Sequence, residues 1–149
     1  MDNMIKEAKQ KALSLLNYMD RTESQIRHKL QEKSFSEEAI EQAIEYVKSF
    51  GYINDAGYAE RYILNKQGSK SRREIYASLS QKGIRKEEIE LAMENCFEVY
   101  DELATIQRLC EKKHFVAEEA TDVEKRRMYQ YLLRKGFRGE DVCKALNVQ

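Results

Sequence analysis

One 15-residue pattern occurs three times in a chain of 149 residues, and it limits the fold more than any other feature. The copies are LQEKSFSEEAIEQAI from Leu30, LSQKGIRKEEIELAM from Leu79 and LLRKGFRGEDVCKAL from Leu132. Each begins with Leu and places Lys three residues on (Lys33, Lys82, Lys135). A small residue follows (Ser34, Gly83, Gly136), then an apolar one (Phe35, Ile84, Phe137). Ile26, Ile75 and Met128 lie four residues before the Leu, which puts each pair on one helix face. Lysine in a last turn suits the negative end of a helix, and a residue able to adopt the left-handed conformation ends it. Acids then open a second helix: Glu37 and Glu38, Glu87 and Glu88, Glu140 and Asp141. In that position they complement the helix N-terminus, which accounts for them without catalysis.

The first helix of each pair has its own start signal. Thr22-x-x-Gln25, Ser71-x-x-Glu74 and Thr121-x-x-Glu124 fit the capping box. The third box lies three residues further from its Leu, so that helix is expected to be one turn longer. Upstream of each box runs another amphipathic stretch, at about Met4 to Tyr18, Asp55 to Lys66 and Val99 to Lys113. The unit is therefore a lead, a middle and a closing helix. Its Leu landmarks recur at 49 and 53 residues, a spacing of tandem structural repeats. The expected fold is all-α: three tandem three-helix repeats over 1–51, 52–97 and 98–149, stacked into an elongated, straight or curved body. The absence of proline agrees, since proline breaks helix interiors.

Composition excludes several classes. Apolar residues make up 42% of the chain, enough for a core, yet no apolar run is long enough to span a membrane. The N-terminal stretch lacks the apolar region of a signal peptide. Three cysteines (Cys96, Cys110, Cys143), an odd number without a C-x-x-C, point to a reducing, cytoplasmic setting.

Twenty-six bases balance 26 acids, but they are segregated along the chain. Arg61 to Lys86 holds eight bases and one acid, Glu87 to Glu98 holds five acids and no base, and Lys125 to Arg138 holds six bases and no acid. The first repeat is milder. Two basic strips on successive modules suit an extended, periodic acidic partner better than a small molecule. The candidate partner-binding residues are Lys70, Arg72, Arg73, Lys82, Arg85, Arg126, Arg127, Arg134 and Lys135. Tyr76 and Tyr129 share one repeat slot beside them and are candidates for stacking or contact.

Other sites fail on chemistry. The segment GSKS (Gly68 to Ser71) lacks the glycine and the preceding strand of a phosphate loop. Cys110 and His114 could share a helix face, but His28 is the only other histidine, too few for a closed metal site. The acids have no accompanying nucleophile or base, so no enzyme and no cofactor is expected. The middle and closing helices resemble a helix-turn-helix, but the second helix opens with acids that phosphates repel.

The stretch FSEEAIEQAIEYVKSFGYINDAGYAERYI (Phe35 to Ile63) ends a helix at an aromatic-Gly-Tyr-Ile-Asn-Asp turn and reopens into a Tyr/Ala/Tyr helix. With the L-x-x-K-G endings at Leu79 and Leu132, it resembles the RecX family, bacterial regulators of the RecA recombinase. The likeness covers about Ala8 to Leu146. It implies a monomer that binds RecA filaments on single-stranded DNA, lies in the filament's helical groove, and inhibits ATP hydrolysis, strand exchange and co-protease activity. Single-stranded DNA is implied as a weak partner at most, because this chain is neutral where many members are basic. Ser34 departs from the glycine of the other copies, and the third lead helix matches loosely. The alternatives are a RecA-independent nucleic-acid-binding helical repeat protein and a helical adaptor for another protein.

Overall fold

A computed structural model describes residues 2–96 and 101–148, and all the secondary structure in them is helical. The helices are α1 (Asp2–Tyr18), α2 (Glu23–Glu32), α3 (Glu37–Ser49), α4 (Asp55–Lys66), α5 (Arg72–Gln81), α6 (Lys86–Asn95), α7 (Glu102–Lys112), α8 (Asp122–Lys135) and α9 (Gly139–Leu146). They follow lead, middle and closing order three times. The first lead helix starts at Asp2 rather than Met4. The third runs over Glu102–Lys112, and Val99 and Tyr100, where its start was expected, lie outside the described residues. α8 has 14 residues against 10 in α2 and α5, the extra turn that the displaced capping box predicts.

All three boxes close. Gln25 N–H donates to Thr22 Oγ1 at 3.1 Å, while Thr22 N–H donates back to Gln25 Oε1 at 3.0 Å. Ser71 and Glu74 make the same reciprocal pair at 3.1 Å in both directions. Thr121 and Glu124 do so at 3.2 and 3.4 Å. Two of the four orphan donors at each helix start are thereby satisfied.

The three endings are the same motif. Phe35, Ile84 and Phe137 N–H donate to the carbonyls of Leu30, Leu79 and Leu132 at 3.3, 3.2 and 3.2 Å. The residue before each donates to the carbonyl three back: Ser34 to Gln31, Gly83 to Ser80 and Gly136 to Leu133. This geometry needs a left-handed residue, and Ser34, Gly83 and Gly136 have φ of 65°, 86° and 100°. The apolar residue that follows then folds back. Ile84 and Phe137 are buried.

The chain forms two compact units. The first comprises Met1–Glu60 and Leu79–Ala92, the second Arg61–Ser78 and Met93–Gln149, so residues of the second repeat belong to both. The core of the first unit gathers Ala8 and Ala12 of α1, Ile26 and Leu30 of α2, and Ala39, Ile40, Ala43, Ile44 and Val47 of α3. Alanines on both α1 and α3 admit close approach of the two helices, and α1 packs chiefly there. The core of the second unit joins Ile106, Leu109 and Cys110 of α7, Met128 and Leu132 of α8, and Phe137, Val142 and Leu146. Leu30, Leu79 and Leu132 are completely buried.

Gly83 and Gly136 are constrained twice, by φ and by space. A Cβ on Gly83 would lie 2.2 Å from Ser24 Cβ, and one on Gly136 would lie 2.8 Å from Arg73 Cβ. Ser34 is exposed. We expect Gly83→Ala and Gly136→Ala to lose more than the roughly 1–2 kcal/mol of left-handed strain alone. Ser34→Gly should gain stability, by up to about 1 kcal/mol. Chemical denaturation measures both, and equal losses at Gly83 and at a left-handed site with open space would refute the steric component.

Candidate partner-binding surface

The exact positions of the basic side chains depend on how modules join, and the joints are made of caps. In the first unit Thr22 is fully buried. Its hydroxyl, besides accepting from Gln25 N–H, donates to the Lys82 carbonyl at 2.7 Å, at the C-terminus of α5. Glu23 N–H, the next orphan donor of α2, goes to Asp55 Oδ1 at 3.0 Å, the residue that opens α4. Gly83 sits against Ser24. In the second unit the same contacts recur in the same register. Buried Ser71 donates its hydroxyl to the Lys135 carbonyl at the end of α8. Arg72 N–H donates to Glu102 Oε1 at 3.1 Å, the residue that opens α7, and Gly136 sits against Arg73.

The joint acids are electrostatically costly. Burial pushes the Asp55 carboxyl up, with further repulsion from Glu88 and Glu23, while the Glu23 N–H pulls the other way. Burial likewise raises Glu102, against the Arg72 N–H and the Arg72 charge. The second Glu102 oxygen is buried and has no hydrogen-bond partner among the described residues.

The joints also consume part of the basic strip. Lys135 Nζ pairs with Glu74 Oε2 at 3.3 Å, so the box acid neutralises the lysine that ends α8. Arg72 Nε lies 3.9 Å from Glu102. Arg85 precedes α6 and pairs with Glu88 at 2.8 Å within its own helix start. Lys70 Nζ donates to the Tyr62 hydroxyl at 3.2 Å. The Lys82 carbonyl belongs to the first joint and its side chain is half-buried. Arg73 is exposed, but its Cβ and Cδ pack on Gly136.

Three of the predicted residues lie together on α8. Arg126, Arg127 and Arg134 are exposed on α8 and enter no ion pair among the described residues. At 100° per residue they fall within one arc opposite the buried Met128 and Leu132. Exposed Val123 and Leu133 share that outer side, so the face is cationic with apolar patches. Tyr129 is half-buried and packs against the core of the second unit, and Tyr76 is half-buried. Tyr131, which the sequence reading did not favour, lies under two ammonium groups, Lys113 at 4.3 Å and Lys135 at 5.7 Å.

No cluster of three or more metal-ligating side chains occurs among the described residues. Cys110 is buried, its thiol pushed up by burial, and His114 is an exposed left-handed residue ending α7. No described helix is long and apolar enough to cross a membrane.

Sequence reasoning found the caps but missed the joint. The signal was present: Asp55 and Glu102 each lie four residues before the first buried apolar residue of their lead helix, Ala59 and Ile106. Acids at that matched position invite a search for an orphan donor.

Repeated three-helix modules, caps that double as module contacts and one face of unneutralised arginines define a tandem-module helical protein. The first three-helix domain of RecX matches residues 8–46, the second residues 54–93 and the third residues 100–146. Regulatory protein RecX of Caldanaerobacter subterraneus subsp. tengcongensis is 39% identical over 144 residues, covering 96% of this chain and 71% of that protein. Regulatory protein RecX of Clostridium perfringens strain 13 is 34% identical over 148 residues, covering 97% and 68%. The crystal structure of RecX from Lactobacillus salivarius superposes with a TM-score of 0.83 at 24% identity, covering 99% of this chain and 97% of that one, a likeness of fold. The chain belongs to the RecX family of regulatory proteins.

The raised joint acids give a pH dependence. Their protonated forms favour folding, and that contribution is complete below about pH 4, the ordinary carboxyl range. It is lost as pH rises through the raised values. Asp55→Asn and Glu102→Gln keep an acceptor without the buried charge. Their melting temperatures at pH 7 should match or exceed that of the unsubstituted protein, with the difference closing toward pH 4. Asp55→Ala, which orphans the Glu23 N–H, should lose about 1 kcal/mol or more at every pH. Melts at both pH values decide it, and a large loss in Asp55→Asn at pH 7 would show that the charge itself holds the joint.

Proposed function

We propose that this protein binds RecA nucleoprotein filaments in their helical groove and inhibits RecA's ATP hydrolysis, strand exchange and co-protease activity. It does so by occupancy and charge, catalysing nothing and using no cofactor. It acts as a monomer in the cytoplasm, within DNA recombination and repair and the SOS response. The reading rests chiefly on the match of the first, second and third RecX domains in that order along the chain.

The exposed α8 face narrows the docking surface. Lys135, Arg72 and Arg85 already spend charge on the chain's own carboxylates. Arg126, Arg127 and Arg134 keep theirs for an acidic protein face or a phosphate backbone. Reversing Arg72 or Arg73 would also disturb the second joint, so those positions cannot separate docking from folding.

The test is RecA ATPase on single-stranded DNA, with and without the protein. The unsubstituted chain should inhibit. The triple variant Arg126→Glu, Arg127→Glu, Arg134→Glu should need at least about tenfold more protein for half-inhibition, with an unchanged far-ultraviolet circular dichroism spectrum. Undiminished inhibition by the folded triple variant would move the docking surface elsewhere. No inhibition by the unsubstituted chain, with tight salt-sensitive binding to bare single-stranded DNA, would favour RecA-independent nucleic-acid binding.

A further inference from the structure

The joint has four parts: a hydroxyl cap with a free next N–H on one module, and a bare glycine turn with a lead-helix acid on the module after it. The first and third modules lack the parts that a further joint would need. In the first module the turn residue is Ser34, not glycine. At the two internal joints a Cβ there would lie 2.2 Å or 2.8 Å from the facing Cβ, an overlap no packing absorbs. The lead-helix position four residues before Ala8, which is Asp55 and Glu102 in the other modules, is Met4. Met4 is exposed and has no carboxylate to accept the N–H, only a weakly accepting thioether.

The third module lacks the opposite half. Counting back eight residues from the landmark Leu reaches Thr22, Ser71 and, in α8, Glu124. The extra turn of α8 fills this place. Lys125 N–H, the counterpart of the Glu23 and Arg72 donors, is already bonded to the Thr121 carbonyl at 2.9 Å. The Thr121 hydroxyl is exposed and donates at 3.0 Å to its own Glu124 rather than to another module.

We infer that the module array is closed at both ends by its own sequence: Met4 and Ser34 block joining at the first module, and the added turn of α8 blocks it at the third. The excluded occupant is a second copy of this chain entering by the same joint. The closure is a matter of fit, since the internal joints use the same backbone groups.

Opening both ends tests this. One variant carries Met4→Asp and Ser34→Gly. A second lacks Asp122, Val123 and Glu124 and carries Arg127→Glu, which restores a capping box on Thr121. Circular dichroism checks that each is folded. Light scattering after gel filtration should report a single chain for the unsubstituted protein (17.6 kDa) and for each variant alone, and a one-to-one pair only in the mixture. Self-association of the unsubstituted protein at the same concentration overturns the inference, as does a mixture of folded variants that stays monomeric. If the shortened variant does not fold, an internal joint decides. Asp55→Met with Gly83→Ser copies the closed end into the first joint. Amide exchange at Glu23 should then accelerate at least about tenfold; an unchanged rate overturns the inference.

Discussion

A hydroxyl carries one proton and two lone pairs, and the module joints use both capacities at once. Thr22 accepts from the start of its own helix and gives its proton to the Lys82 carbonyl at the end of another. Ser71 does the same toward Lys135. One buried atom thus satisfies an orphan donor of one helix and an orphan acceptor of a second. It also sets the positive end of one helix dipole against the negative end of the other. Both residues are fully buried, so neither partner has water as a substitute, and a buried polar group left unpaired costs about 1–3 kcal/mol. The left-handed glycines follow from this contact, because the carbonyl can reach the hydroxyl only if no Cβ stands between the turn and the facing helix.

The same contacts redistribute charge. The chain is neutral overall, yet its bases and acids are separated along the sequence by several residues or whole helices. Folding brings Lys135 to Glu74, Arg72 to Glu102 and Lys48 to Glu23. Partly exposed pairs of this kind contribute little to stability, typically under about 1 kcal/mol each. Their consequence is for the surface that remains. They neutralise part of the strip near the joints, while the arginines of α8 stay exposed and enter no ion pair among the described residues. The joint therefore decides which cations are available as much as the sequence does.

Much of the fold was legible because it is written in local rules. Capping boxes, left-handed turns and i to i+4 apolar pairs involve residues within one helix or one turn, so Thr22, Ser71, Thr121 and the Lys-Gly endings could be placed without knowing what lay across from them. The extra turn of α8 followed from three residues of spacing. The site was less legible. A run of bases does not reveal which side chains will meet carboxylates 30 or 60 positions away, and Tyr129 reads the same whether its ring faces solvent or core. Ser34 looked like an irregularity in the repeat. Structurally it is the one copy of the turn that carries a side chain, and that residue is exposed.

The sequence by itself determined the repeating order of lead, middle and closing helices, the ends marked by caps, and the family to which the chain belongs, because hydrogen-bonding and burial within a turn or two are encoded in adjacent residues. Only the tertiary structure decided that two cap hydroxyls also bind the ends of distant helices, that Asp55 and Glu102 are half-buried acceptors, and that Arg126, Arg127 and Arg134 enter no ion pair among the described residues. Those outcomes depend on which atoms come within about 3 Å of one another across long sequence separations, and the pairing rules of hydrogen bonds act on distance in space.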